Sequence, residues 1–249
     1  MSQRGRVRVE QGHKRVRAMV AGETVVDSRR PLLVWEKPYY PTYYFPPDDV
    51  RMDLLVETGE TRKSPSRGVS HTYNVKTQAG EVAAAAWIYP DSAIEEISGY
   101  VAFKWREMDH WFEEDEEVFV HARDPYTRVD ILRSSRHVKV SIGGEVIAES
   151  FSPTLLFETG LPTRYYLPPT DVRWDLLEKT DHRTECPYKG VAEYWSARTG
   201  GELHENIVWS YPFPTLESAK IAGLICFYDE KVDTEVDGQP QERPRTPFA

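Results

Sequence analysis

Thiols are scarce in this chain, which has 249 residues and two cysteines, Cys186 and Cys226. That number excludes a four-thiolate zinc site and a disulfide framework, and it predicts free thiols in a reducing cytosol. The seven histidines show neither a His-x3-His nor a His-Glu-x2-His spacing on a plausible helix, so no metal and no cofactor is expected. No apolar run is long enough for a signal peptide or a membrane span, and a cytoplasmic protein with no membrane partner is the expectation. Also missing are a Gly-rich loop that would cradle phosphates and a Gly-Ser motif followed by paired acids. Basic residues are outnumbered 31 to 40, for a net charge of −9, which argues against nucleic acid as a partner. The local exception is Arg4, Arg6, Arg8, Lys14, Arg15 and Arg17. These alternate with Val7, Val9 and Val16 as the outward face of a first hairpin would.

What the chain does have is a repeat. Segment 46–55 reads Pro-Pro-Asp-Asp-Val-Arg-Met-Asp-Leu-Leu, and segment 168–177 reads Pro-Pro-Thr-Asp-Val-Arg-Trp-Asp-Leu-Leu, identical at eight of ten positions and 122 residues apart. A period that long is a duplicated domain, because solenoid and propeller units repeat every 20–50 residues or so. Residues 1–112 are expected to form a first β domain and 128–237 a second, with an acidic linker at 113–127 and a disordered tail at 238–249. The two copies are expected to pack about a pseudo-twofold axis, since duplicated domains inherit the self-complementary surface of an ancestral homodimer.

Within each copy, short segments rich in Val, Ile, Tyr and Trp predict strands, and Gly143-Gly144 between alternating apolar residues predicts a hairpin. Asp48-Asp49 and Thr170-Asp171, each following a double proline, predict the cap of a short helix on which Val172 and Leu176 share a face towards the sheet. Cys186-Pro-Tyr-Lys-Gly190 predicts a turn with a left-handed glycine at its exit. The fold class is mainly β, with one or two short helices per copy.

Tyr-Tyr-x-Pro-Pro-x-Asp-Val, Thr184-x-Cys-Pro-x-Lys-Gly-x-Ala192 and Trp209-x-Tyr211-Pro together resemble the family catalogued as domain of unknown function 427, in tandem form, over nearly the whole chain. The resemblance implies two compact β-tent-like domains, similar to the fold of methionine sulfoxide reductase B. It also brings a nucleotidyltransferase-like label, although the carboxylate and glycine signatures of that chemistry are missing here.

Cys186 and Lys189 are the candidate catalytic residues. His182, Arg183 and Lys189 would favour a thiolate, whereas the plainer alternative is a small buried thiol beside a turn. Asp171 with Asp175, and Asp49 with Asp53, stand four apart and read either as metal-facing pairs or as first-turn acids. Tyr166, Arg173, Asp175, Trp195, Trp209 and Tyr211 are the candidate ligand-binding residues, with Arg51 and Arg67 keeping the positive charge in the first copy, where Ser64 replaces the thiol. The expected site lies where the Cys186 turn faces the 171–177 helix and the strand of Trp209 and Tyr211. The expected function is binding of a small organic molecule in an aromatic-lined pocket, with or without its transformation at Cys186. The alternatives are a protein-interaction module without catalysis and metal-dependent nucleotidyl or phosphoryl transfer.

Overall fold

The computed structural model describes residues 7–246. Contacts divide the chain between Asp124 and Pro125 into two units, and each unit contains eleven strands among the described residues. In the first these are β1 (Arg8–Gln11), β2 (Val16–Val20), β3 (Glu23–Ser28), β4 (Leu32–Trp35), β5 (Thr42–Phe45), β6 (Leu55–Ser64), β7 (Gly68–Thr77), β8 (Gly80–Ile88), β9 (Val101–Phe103), β10 (His110–Glu113) and β11 (Glu116–Glu117). The second repeats them as β12 (Val129–Arg133), β13 (Val138–Ile142), β14 (Glu145–Ser150), β15 (Thr154–Glu158), β16 (Arg164–Leu167), β17 (Leu177–Cys186), β18 (Gly190–Thr199), β19 (Glu202–Ser210), β20 (Ile225–Phe227), β21 (Asp233–Val236) and β22 (Gln239–Pro240). A seven-stranded sheet runs β1-β4-β5-β9-β8-β7-β6 in one copy and β12-β15-β16-β20-β19-β18-β17 in the other. The smaller sheets, β11-β10-β2-β3 and β22-β21-β13-β14, correspond in the same way, so the duplication holds strand for strand.

Alternation places the core. Val16, Ala18 and Val20 of β2, like Val138, Val140 and Ile142 of β13, turn inward, while the residues between them are half-exposed. The hairpins that follow use positive φ at both turn residues, Ala21-Gly22 and Gly143-Gly144, which matches the right-handed twist of the strands. One core layer in each copy lies between its two sheets, and a second lies on the far face of the larger sheet. Consecutive tyrosines separate the layers: Tyr43 and Tyr165 pack into the first, Tyr44 and Tyr166 into the second.

Three expectations are corrected. The 171–177 helix does not form; Pro169–Asp171 and Trp174–Leu176 are separate 3₁₀ turns, and Val172 between them is extended and bridges to Ala148. Pro168-Pro169 set the entry, and the Arg173 amide donates to Ile147 O at 2.9 Å, so this backbone completes the small sheet instead of coiling. Asp171 caps nothing, because its side chain accepts from Ser150.

The acidic run is not a linker. Glu113 and Glu116–Glu117 form a hairpin of the first unit around Glu114 (φ 53), and buried Glu113 accepts from Tyr43 Oη at 2.6 Å and Lys14 Nζ at 2.6 Å. The tail is ordered over its described part. Asp237-Gly238, both at positive φ, turn β21 into β22, and Thr246 Oγ1 donates to Glu230 at 2.7 Å. Asp-Gly is a strong hairpin signal that the neighbouring prolines obscured. The basic amino-terminal side chains are partnered, Arg15 with Asp27 at 2.5 Å and Arg17 with Asp115 at 2.9 Å; Arg4 and Arg6 lie outside the described residues.

Candidate functional site

The β17–β18 hairpin ends in the expected turn. The Lys189 amide donates to Cys186 O at 3.3 Å, and Gly190 leaves at φ 95. Two hydroxyls hold the turn against the segment after β19: Thr215 Oγ1 donates to Tyr188 O at 2.6 Å and Ser218 Oγ to the same oxygen at 3.0 Å. Gly190 is required there twice over, by its φ and because a Cβ would stand 3.2 Å from Phe213 O.

This rigid turn drives Lys189 inward. Its side chain is 11% exposed and forms an ion pair with Glu158, 9% exposed at the end of β15, and it also faces the Cys186 thiol. Burial works against the ammonium, but Cys186 and Glu158 outweigh it and hold Lys189 above the ordinary lysine value. Cys186 itself is half-buried. Beneath the pair lies an aromatic layer in which Trp209 Nε1 donates to Tyr166 Oη at 3.3 Å and Arg164 stands 5.6 Å above the Trp209 ring. Burial first, and Cys186 and Glu158 among its neighbours, push the Tyr211 hydroxyl well above its ordinary value, so it stays neutral. Cys226 is fully buried in the same layer, and burial pushes its thiol up as well, which marks it as a packing residue.

The first copy builds the same arrangement from Arg67, Glu36, Tyr44, Trp87 and Tyr89. Arg67 pairs with Glu36 at 3.0 Å and lies 5.6 Å above the Tyr89 ring. Tyr44 Oη donates to Glu36 at 2.5 Å and accepts from Trp87 Nε1 at 3.1 Å. Arg67 Nε is buried without a hydrogen-bond partner. Ser64 occupies the place of the thiol, 3.4 Å from Ser66 Oγ.

The structure thus brings together Cys186, Lys189, Tyr166, Trp209 and Tyr211, and it separates the other candidates from them. Arg173 pairs with Asp175 at 2.6 Å on the surface, as Arg51 does with Asp53 at 2.6 Å. Arg173 and Asp175 lie just before β17, whose ten residues span roughly 30 Å at about 3.3 Å each before Cys186 is reached, and Arg51 and Asp53 precede β6 in the same way. Trp195 faces the other core layer and meets Trp174 edge-on at 5.7 Å. Asp171 and Asp175 do not converge, since one binds Ser150 and the other Arg173. Among the described residues no group of three or more His, Cys, Asp or Glu side chains is placed to hold a metal, and no helix is long and apolar enough to cross a membrane.

Sequence reasoning missed Glu158 and Glu36. The signal was present: each is a carboxylate closing an otherwise apolar strand, and each keeps the 122-residue offset that relates Lys189 to Arg67. A sequence model of the family described as domain of unknown function (DUF427) matches residues 8–114 and again residues 130–238, one match within each unit. No curated protein matches the chain.

Proposed function

The chain belongs to the DUF427 family and carries its domain twice, and we propose that each copy receives a small organic molecule at the buried cation–carboxylate pair, with reaction confined to the second copy at Cys186. The observation that carries this reading is the pair itself, Lys189–Glu158 and Arg67–Glu36, set among aromatic rings in both copies while the thiol occurs in one. An ion pair drawn largely out of water, as Lys189–Glu158 is and Arg67–Glu36 is to a lesser degree, seldom stabilises a fold more than apolar residues of the same volume, so its presence in both copies favours use over packing.

Unused donors supply the recognition. An ammonium has three protons, and those of Lys189 meet Glu158 and Cys186, which leaves one for an oxygen of a ligand. Arg67 Nε is unpartnered in the other copy and suits the same oxygen. If the ligand has an electrophilic carbonyl, the Cys186 sulfur adds to its carbon as the C=O π bond opens, and the thiol proton passes by way of Lys189 to the oxygen, which gives a hemithioacetal. Ser64 in the first copy would leave that domain a binder.

A thermal-shift screen of carboxylates and carbonyl compounds on the full chain tests the reading. Lys189→Ala should weaken binding by about 1–3 kcal/mol, and Cys186→Ser should spare binding and abolish turnover. A ligand that stabilises Lys189→Ala as strongly as the parent removes the site. A second reading, docking of a protein partner, is favoured by Phe213 and Leu216, which are 91% and 89% exposed beside the Gly190 turn. A macromolecule that co-purifies, together with no response to any small molecule, would select it. Metal-dependent nucleotidyl transfer is the weakest reading, because its carboxylate pairs point apart.

A further inference from the structure

Trp105 and Trp111 of the first copy stack at 4.5 Å, and Tyr43 packs 6.4 and 6.1 Å from them. These rings fill one end of the space between the two sheets. Tyr165 takes the place of Tyr43 in the second copy, but the tryptophans have no counterpart. The bond from Lys104 N to Ala85 O recurs as Tyr228 N to Ile207 O, which sets Trp105 against Asp229. Trp111 pairs with Ala18 as Thr234 pairs with Val140, which sets Trp111 against Thr234. Where two indoles stood, a cavity of about 210 Å³ opens, bordered by Tyr165, Asp229, Thr234, Gln241, Glu242 and Pro244.

The charge around this cavity does not balance. Buried Asp229 accepts from Thr234 Oγ1 at 2.8 Å and from Arg164 at 3.2 Å. Arg164, however, is engaged in two bonds to Glu230, at 2.8 and 2.5 Å, so one guanidinium faces two carboxylates. Glu242 adds a third acid at the rim. Of the other cations in this part of the chain, Arg136 is paired with Asp237 at 2.7 Å and Arg243 with Asp233 at 2.8 Å. Burial leads in pushing the Asp229 carboxyl up, and Glu230 adds to it, against the pull of Arg164 and Thr234. Loss of two large rings alone would leave an apolar hole; here the replacements are an acid and a hydroxyl bonded to each other beneath an open space.

We propose that this cavity is a second ligand site, distinct from the Cys186 turn, and that it takes a small organic cation, a protonated amine or guanidinium. At about 30 Å³ per water the space equals roughly seven waters, enough for a short alkyl ammonium. Asp229 and Glu242 neutralise the charge, Thr234 Oγ1 and the Gln241 side chain accept from its protons, and the Tyr165 ring and Pro244 cover the alkyl part. The first copy has no such site because Trp105 and Trp111 occupy it.

Titration of the full chain with n-butylammonium and agmatine, with 1-butanol as the neutral control, tests this by calorimetry. The amines should bind and the alcohol should not. Asp229→Asn should weaken the amines at least tenfold, and Glu242→Gln, at the solvent-facing rim where folding is not at risk, should weaken them two- to fivefold. Lys189→Ala should leave them unchanged, which separates this site from the proposed carbonyl site. Equal binding of alcohol and amine would overturn the proposal, as would amine affinity unaltered in both acid variants. So would saturation of Asp229 by a proton alone, seen as a pH-dependent stability that no amine shifts.

Discussion

Asp171 accepts a hydrogen bond from the buried Ser150 hydroxyl at 2.6 Å, and Asp49 accepts one from Ser28 at 2.7 Å in the first copy. Each serine oxygen in turn accepts from a backbone amide two residues on, Ser152 N at 3.1 Å and Arg30 N at 3.1 Å. The aspartate of the repeated Pro-Pro-x-Asp motif is therefore a structural clamp that ties the first 3₁₀ turn to the edge of the small sheet. Asp171→Ala strands a buried hydroxyl and should cost about 1–3 kcal/mol in urea denaturation. Adding Ser150→Ala should recover part of the loss; purely additive costs would disprove the clamp.

Acid should weaken the first copy through Asp49. Burial opposes its charge, but Arg30 and Ser28 outweigh burial and hold the carboxyl below its ordinary value. With the folded value lowered, the stabilisation is complete above the unfolded carboxylate pKa and disappears as pH falls through the folded one. Asp49→Asn binds no proton in this range, so its stability should decline less steeply below pH 4 or so. Parallel acid limbs for parent and variant would rule Asp49 out.

Gly190→Ala tests the turn. Its φ of 95 is unfavourable for alanine by about 1–2 kcal/mol, and the added Cβ meets Phe213 O at 3.2 Å. Gly144 has a similar φ of 86 and open space around it, so Gly144→Ala carries the backbone strain alone. Melting temperatures should fall in both, and further in Gly190→Ala. Equal falls would show that the loop yields to the methyl group.

The two thiols should differ in reactivity. Cys226 is buried and burial favours its neutral form, while Cys186 is half-buried at a turn. A thiol reagent should label one cysteine in the native protein and the second only on unfolding, and Cys186→Ser should abolish the native reaction. Two labels at equal rates would contradict the burial of Cys226.

Repetition made most of this architecture legible. Motifs 122 residues apart established two copies, and alternation in β2 and β13 with the Gly143-Gly144 turn placed their hairpins. Asp171 misled because an acid after a double proline reads as a helix cap, whereas long-range bonding to Ser150 and Ile147 O decided its conformation. The partner of Lys189 lies 31 residues away on a different strand, beyond what local spacing reports. The exchange of Trp105 for Asp229 was hidden by two extra residues before β20, which shift the offset from 122 to 124 and break the alignment where the copies diverge. Arg173, Asp175 and Trp195 were grouped with Cys186 through sequence proximity, yet a ten-residue strand and the two faces of a sheet separate them.

The Lys189–Glu158 pair should prove costly to break and dispensable to stability as a whole. Lys189→Met leaves the Glu158 carboxylate, 9% exposed, without its cation, and the loss should reach about 3–5 kcal/mol. Lys189→Arg should be tolerated far better, because the first copy uses Arg67 with Glu36 at 3.0 Å in the same place. Lys189→Met combined with Glu158→Leu removes both charges and should return close to parental stability. Alkali supplies an independent check. The Lys189 value is raised on folding, so its contribution is complete below the unfolded lysine pKa and is lost as pH rises through the folded value. Lys189→Arg, whose guanidinium keeps its proton there, should hold its melting temperature further into the alkaline range. The double apolar variant then divides use from packing: folded and stable but unable to bind the ligand of the parent, it would show that the pair is retained for recognition. Unimpaired binding by that variant would end the case for a site at Lys189.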